Sequence, residues 1–571
     1  MSTDQAMKKP RKQRANLHRS PVLQIGQGCG TFAAMFATIL ALAACGGTAD
    51  ASNLAPQGTT AAPQLTGLVT QWGVISEPHL PTAACVTLNA SLSPANGSID
   101  AVDRDPTHSQ PDTARIQKAI NDCPSGTAVK LTAGHTGATG FLSGPLVLKS
   151  GVSLWIDYGV TLFASRNPAD YDNGRGTCGT ATITEENACS PFILADKTEG
   201  SGIIGEGTID GRGGSVLTNG PNAGIRSWWD VAYQNKTQNL HQQNPLLIHV
   251  HNGSGFVMYR VAIVNAPNTH IVTTGVYGVT IWGIKILSPT LEYSAPGYAC
   301  SPNSTPDKKT PATCFTPETA KNTDGFDPGQ SSNVLLAYSY ISDGDDNVAV
   351  KSHGRKRSNN IAFMHNHFYY GHGMSIGSET DSSLSSMVVD DLSIDGFDSS
   401  AGVGLRIKSD SSRGGTVSNV IYRNVCMRSV RQPLVFDSYY RNPRSGTKYP
   451  IFTNITISGL HSLGSRKYGG GQLTFAGFDA EGIMNPLSIT LNNVVFDGPQ
   501  PTFASGHNGG PSIIPAATHF ILGPGAVSFA SSIEQSPDND VSVTGAPGRS
   551  EPVDCDNAFV PLHTVLSVSP I

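Results

Sequence analysis

Charge is scarce in this chain of 571 residues, of which 14% are Asp, Glu, Lys or Arg. Helical periodicity is scarcer, clear only over residues 112–123. There Ile116, Ala119, Ile120 and Cys123 share a stripe and Asp112 is available as a cap. The two shortages together argue against a helical protein. No phosphate-binding P-loop is present. The glycine-rich GEGTIDG (205–211) lacks the strand, turn and helix setting of a dinucleotide site, and HNH (365–367) falls inside an alternating strand pattern. The cysteine spacings match no zinc site. An apolar run from about Thr31 to Ala44 is too short to cross a bilayer comfortably.

What is plentiful is glycine, 62 residues, and proline, 37, among many Ser, Thr and Asn. This is a composition for many short strands and turns. The first 44 residues read as an export signal, with Lys8, Lys9, Arg11, Lys12, Arg14 and Arg19 ahead of the apolar run. That run ends in LAACGG (42–47), which resembles the lipobox of bacterial lipoproteins and predicts cleavage before Cys45 and acylation of its thiol. The alternative is an ordinary signal peptide, so the expected destination is either secretion or a lipid-anchored place on the outer surface. Residues 45–75, rich in Ala, Thr, Gly and Pro, read as a flexible linker, which leaves 76–571 for the folded domain, expected to be monomeric.

Loss of the leader lowers the formal charge from −5 to −10, since it carries six basic residues and one acid. An acidic exported protein is a poor partner for nucleic acid. Apart from Cys29 and Cys45 there are eight cysteines, an even number suited to disulfides in an oxidising compartment. Cys178 with Cys189 and Cys300 with Cys314 are the easiest local pairs; Cys85 with Cys123 and Cys426 with Cys555 are the longer links.

From about residue 145 a small polar residue followed by alternating apolar positions recurs, as in SNVLLAYSYISDG (332–344), NNIAFMHNHFYYG (359–371), SNVIYRNVCMRSV (418–430) and LSITLNNVVFDG (487–498). Short strands repeating every 23–35 residues without intervening helices predict an all-β solenoid, a parallel β-helix. Its open apolar ends need cover, which the helix at 112–123 and the segment after about 500 are placed to give.

Four polar clusters recur at about one coil each: NTDG (322–325), GDD (344–346), GHG (371–373) and RIK (406–408). Stacked strands lie about 4.8 Å apart, so these clusters fall on one flank. Val348 and Val350 mark an inward face, and counting back by twos assigns Asp346 to it, where an unpaired carboxylate is costly. A bend before the strand frees both Asp345 and Asp346 to face outward. Acidic residues before strands are also common turn formers. Glycoside hydrolysis needs one protonated carboxyl and one carboxylate, and crowding Asp345 and Asp346 beside Asp324 is a way to keep one of them protonated. Arg406 and Lys408 alternate around an inward Ile407 and suit a substrate carboxylate.

NTDGFDP (322–328), GDDNVAVK (344–351), GHGMSIGSE (371–379) and RIKSD (406–410) resemble, in order, the four signature motifs of the polygalacturonases, glycoside hydrolase family twenty-eight. The resemblance covers roughly residues 70–500 and its wording is nearest to bacterial endo-acting enzymes. It implies a right-handed parallel β-helix that hydrolyses α-1,4-linked galacturonan with inversion and without a metal or other cofactor. It implies Asp345 as general acid, Asp324 and Asp346 as the pair that activates water, and His372 as support for the acid. Arg406, Lys408, Asn322 and an aromatic ring, Tyr440 in preference to Tyr439, are implied as substrate binders. An insertion at about 290–320 departs from the pattern; if it closed one end of the groove the enzyme would act on chain ends. The loops 353–357 and 439–444 offer further cations for a polyanion. A rhamnogalacturonan hydrolase, a calcium-dependent pectate lyase and a non-catalytic pectin-binding surface protein are the competing expectations.

Overall fold

The computed structural model describes residues 67–135, 137–306, 311–441, 446–506 and 509–566. The expected leader, Cys45 and most of the expected linker lie outside them, as do residues 442–444 of the second cationic loop. Two parallel sheets carry the fold, one of eleven strands and one of twenty. The chain winds between them as a right-handed parallel β-helix.

The recurring small polar position has a plain cause. Asn333, Asn360, Asn419 and Asn454 open turns with φ between 52° and 57°, with Ser386 at φ 60° on the coil between the second and third, a left-handed conformation that asparagine tolerates better than most residues. They also stack, Asn360 Nδ2 donating to Asn333 Oδ1 at 3.0 Å. The corner is thus set locally and repeated from coil to coil.

Register in the eleven-stranded sheet is strict. Phe326, Val348, Met374, Leu405 and Leu434 stand opposite one another on successive strands, point inward and are fully buried. One residue on, Ala349, Ser375, Arg406 and Val435 form an outward row. A second outward row contains Lys408 and Asp437. A slip of one residue would exchange the two faces, so the buried row holds the polar rows in place.

The helix α1 spans Thr113–Asp122 and buries Ile116, Ala119 and Ile120 in the main core. Asp112 sits at its N-cap position without capping. Its carboxylate instead accepts from Leu142 N at 2.7 Å and from Arg115 Nε at 2.7 Å, a longer-range tie in place of the local one. The expected linker ends early, because Leu68–Thr70 and Gly73–Ile75 pair as an antiparallel hairpin. Leu68, Trp72 and Ile75 pack on the outer apolar face around Tyr259 and Trp282, which makes order there favourable.

The strands Thr518–Leu522 and Val541–Gly545 extend the larger sheet beyond residue 500. The chain then returns along the outside. Glu551 O accepts from Asn493 Nδ2 at 2.9 Å, Cys555 is bonded to Cys426, and Val560 O accepts from Tyr369 Oη at 2.9 Å. The three other disulfides among the described residues are Cys85–Cys123, Cys178–Cys189 and Cys300–Cys314. No helix among the described residues is long and apolar enough to cross a membrane.

Candidate active site

The bend 343–347 separates the strands Tyr340–Ser342 and Val348–Val350, so strand alternation does not apply to Asp345 and Asp346. Gly344 makes the bend possible, since a Cβ there would run into the carbonyl oxygens of Pro317 and Ala320. Gly371, at φ 137°, lets the next coil approach Asn347 and Asp343.

Asp345 Oδ1 lies 2.9 Å from His372 Nδ1, and Asp345 Oδ2 accepts from Asn322 Nδ2 at 3.3 Å. The His372 backbone N–H donates to Asp345 O at 2.6 Å, so ring and backbone are both referred to the same acid. Asp346 is held differently. Its Oδ1 accepts from Ser375 Oγ at 2.9 Å and from Arg406, and its Oδ2 accepts from Lys408 Nζ at 2.7 Å. Arg406 Nε in turn donates to Ser375 Oγ at 2.9 Å. Gly325 N donates to Asp346 O at 2.9 Å, which seats Asp324 beside the pair, while Asp324 O accepts from His270 N at 2.9 Å.

Lys408 Nζ stands 4.8 Å from the centre of the half-exposed Tyr440 ring. Tyr439 turns away, its hydroxyl donating to Asp479 O at 3.0 Å and its ring stacking on Phe478. Asn322, Asp324, Asp345, Asp346, His372, Arg406, Lys408 and Tyr440 therefore form one patch. The loop 353–357 is tied elsewhere, His353 to Asp381 at 2.9 Å.

The environment acts on the three acids in different directions. Burial, with the charges of Asp327 and Asp345, pushes Asp324 well above the usual carboxylate range. Burial also acts on Asp345, but the charge and hydrogen bond of His372, aided by Lys408 and Lys236, outweigh it and hold Asp345 far below that range. Burial is likewise outweighed at Asp346, by Arg406 and Lys408. Crowding thus raises Asp324, while the cations converge on Asp345 and Asp346 and hold those two down.

Four contributors were not anticipated. Asp343 is fully buried and accepts from Asp345 N at 3.1 Å and from Asn347 Nδ2 at 3.3 Å. Ser375 bridges Arg406 and Asp346. Asp327, pushed up to about 6 by burial against the pull of Lys351, accepts from Lys351 Nζ at 2.6 Å. Lys236 comes from the helix α2, Trp228–Gln238, whose mixed polarity hides it from a periodicity search. The legible signal was its capping box, Ser227 Oγ accepting from Asp230 N and Asp230 Oδ2 from Ser227 N.

Ligand atoms of Asp345, Asp346 and His372 come within 4.8 Å of one another, close enough to consider a cation. Both oxygens of Asp346 already receive fixed positive charges, however, so a metal ion there would meet Arg406 and Lys408 directly. The arrangement fits acid and base chemistry on a bound anion: one carboxylate paired with an imidazole, one held by two cations, and one whose proton affinity is raised by burial and neighbouring acids.

The profile of glycosyl hydrolases family 28 matches residues 123–464. The chain is 60% identical over 503 residues to a polygalacturonase of Ralstonia nicotianae, covering 88% of this chain and 94% of that one. It is 39% identical over 421 residues to an endo-polygalacturonase of Pectobacterium carotovorum subsp. carotovorum, covering 74% and 88%. The solved polygalacturonase from Erwinia carotovora ssp. carotovora superimposes with a TM-score of 0.61 at 37% identity, over 76% of this chain and 97% of that one. With the parallel β-helix and the acid patch in place, these likenesses show that the chain belongs to glycosyl hydrolases family 28.

Proposed function

We propose that the chain hydrolyses α-1,4 bonds between galacturonate residues of polygalacturonate, inside the polymer and with inversion. The observation that carries this reading is the clamp of Arg406 and Lys408 on Asp346 beside the Asp345–His372 pair. Two cations tied to a catalytic-type carboxylate are poised to exchange it for a substrate carboxylate. The names of the relatives, polygalacturonase and endo-polygalacturonase, point to the same substrate.

In this mechanism a galacturonate carboxylate engages Arg406 and Lys408 at the cleavage point, with the Tyr440 ring beside it. Two consequences follow. Asp346 loses its cations and becomes more basic, and the new negative charge raises the proton affinity of Asp345. A His372 that enters the cycle as imidazolium passes its Nδ1 proton to Asp345 Oδ1 and on to the glycosidic oxygen as the C1–O bond breaks, which leaves the ring neutral with its proton on Nε2. A water held between Asp324 and Asp346 attacks C1 from the opposite face and gives its proton to Asp346. Inversion follows from attack opposite the leaving group.

The test is incubation with polygalacturonate, comparing wild type with Asp345→Asn. A loss of about 10²–10⁴ in kcat is expected from removal of the general acid. An Asn variant as active as wild type defeats the assignment of Asp345. Viscosity falling early, before many reducing ends appear, reports internal cleavage; the opposite order reports action at chain ends. Export fits the four disulfides, and lipid attachment through Cys45 is the accompanying proposal, checked by whether Cys45→Ser releases the protein from the membrane fraction.

A further inference from the structure

On the larger sheet, away from the acids, the corners between consecutive strands carry a ladder of side chains. Arg260, Gly283, Tyr338, His365, Asp391 and Asn424 hold the same place on six successive coils, one residue beyond matched strand positions such as Tyr259, Trp282 and Ala337. All six have φ between 52° and 65°. Tyr338 stacks on His365 with ring centres 4.7 Å apart and planes within 11°, and His365 Nδ1 meets Asp391 Oδ2 at 2.6 Å. At Gly283 a rung is missing.

Side chains from four places line the gap. Tyr338 borders it on the next coil and Arg260 on the coil before. Trp282 covers the Tyr338 ring only obliquely, with centres 5.0 Å apart and planes at 42°, and Glu77 comes from the segment after the N-terminal hairpin. Together they line a cavity of about 320 Å³, a volume at the lower end for small-ligand sites. It shares Glu77, Trp282 and Tyr338 with a neighbouring cavity of about 440 Å³ that Gly67 and Leu68 also line. Arg260 and Tyr338 stand two coils apart, about 9–10 Å at the strand spacing. That leaves room for one further ring stacked on Tyr338.

The charges select what kind of ring. Glu77 Oε1 accepts from Tyr259 Oη at 2.7 Å, and Arg260 pairs with Glu206 at 2.9 Å. Two carboxylates against one guanidinium disfavour an anion, and the guanidinium on the wall disfavours a cation. A neutral ring with an apolar face and peripheral hydroxyls meets an aromatic face, an acceptor and a donor at once. Support of the coils accounts for a stack and for left-handed corners. It does not account for the missing rung, because Asp391 and Asn424 hold the same backbone conformation with a side chain present.

We propose that the gap at Gly283 is a non-catalytic binding site for a neutral pyranose, stacked on Tyr338 and hydrogen-bonded by Glu77 and Arg260. It lies on the larger sheet, whereas Arg406 and Lys408 stand on the smaller one, so it holds a saccharide apart from the cleavage step. Two sources supply this chemistry: an uncharged sugar, and a galacturonate whose carboxylate is methyl-esterified.

Calorimetric titration of the full chain with β-1,4-galactotetraose, with fully methyl-esterified tetragalacturonate and with tetragalacturonate tests the site. An Asp345→Asn background keeps cleavage from adding heat, and Gly283→Asn and Tyr338→Ala are placed in it. Asparagine tolerates the corner conformation, and a Cβ at 283 meets only Arg260 Cγ, at 3.4 Å, so Gly283→Asn is expected to fill the gap with Tm unchanged. Saturable binding of at least one neutral tetrasaccharide is expected, lost in Gly283→Asn and weakened up to about tenfold in Tyr338→Ala; the one that binds identifies the source. With Asp345 intact, both variants are expected to keep kcat/KM on polygalacturonate within about twofold. Absence of binding by either neutral tetrasaccharide, or binding that persists in Gly283→Asn, overturns the proposal. So does binding of tetragalacturonate that Gly283→Asn abolishes, since the gap then takes an anion.

Discussion

Asp343 is a carboxyl that no cation meets among the described residues. Burial and the surrounding Asp324, Asp345 and Asp346 push it well above the usual carboxylate range, against its hydrogen bond from the Asp345 backbone. Its work is to receive Asp345 N–H and the Asn347 amide, which shapes the bend. The two donors sit on different oxygens of Asp343, so an amide side chain keeps an acceptor for one of them, and Asp343→Asn is expected to do less damage than Asp343→Ala, with kcat reduced about threefold. Asp343→Ala leaves two buried donors unmet, at about 1–3 kcal/mol for each, and is expected to lower Tm and reduce kcat about tenfold or more. Equal damage from both variants in paired melts and rate assays would show that charge, rather than acceptance, is what matters.

Residues of this kind mark the boundary of what the sequence tells. Asp324, Asp345, Asp346 and His372 were legible because their motifs recur at coil spacing. Asp343 directly precedes the GDD cluster, yet its burial depends on Gly371 of the next coil. Proton placement was illegible for a related reason: the sign at Asp345 is decided by His372, Lys408 and Lys236, from three separate segments.

Strand ends toward the N-terminal coils carry another acid pair. Asp210 closes the strand Thr208–Asp210, and Glu292 follows the strand Lys285–Leu287; both line a cavity of about 480 Å³. Burial raises Asp210 to about 7, against the pull of Arg212 and Asn265, and raises Glu292 to about 8, with the charge of Asp210 adding to the effect. The folded state therefore binds protons that the unfolded chain, at its ordinary carboxylate pKa, has released. Stability from this pair is full near pH 4 and is lost as pH climbs through about 8. Tm is expected to fall between pH 6.5 and 8.5, a window above the range in which the buried His249 and His270 titrate. Asp210→Asn is expected to flatten that slope; a melt series with the same slope in both proteins would reject the pair as its source. Among elements, the coils were legible from alternation and α1 from its stripe. The helix α2 and the hairpin at 68–75 were not, since each owes its order to partners distant in sequence, Phe315 for one and Trp282 for the other.

The returning C-terminal segment ties coils that the solenoid itself links only to their neighbours. Cys426–Cys555 closes a loop of 129 residues, and beyond it Leu562 and Val565 of α3, Leu562–Leu566, pack on Val264, Leu287 and Tyr369. Chain-entropy estimates for a loop that long reach about 4–5 kcal/mol, with measured values often smaller. Replacing both cysteines by serine is expected to lower the urea midpoint clearly while leaving kcat at 25 °C unchanged, because neither sulfur lies in the acid patch. An unchanged midpoint would mean that the tail is held by its other contacts alone. The Cys426–Cys555 link was legible from the pairing of the cysteines and is present, whereas the packing of α3 was not, because the tail repeats nothing.

The strict register of the outward rows has a consequence for any long ligand laid along them. Each coil advances by about 4.8 Å, whatever side chain it carries. A polymer with a different repeat behaves against this spacing like the sliding part of a vernier, in step at one mark and out of step a few marks away. Grip then has to be concentrated near the coincident mark instead of being shared along the groove. Under that condition a few cations on one short stretch, such as Arg406 and Lys408, outweigh a uniformly basic surface, and a chain with net negative charge is no obstacle to holding a polyanion.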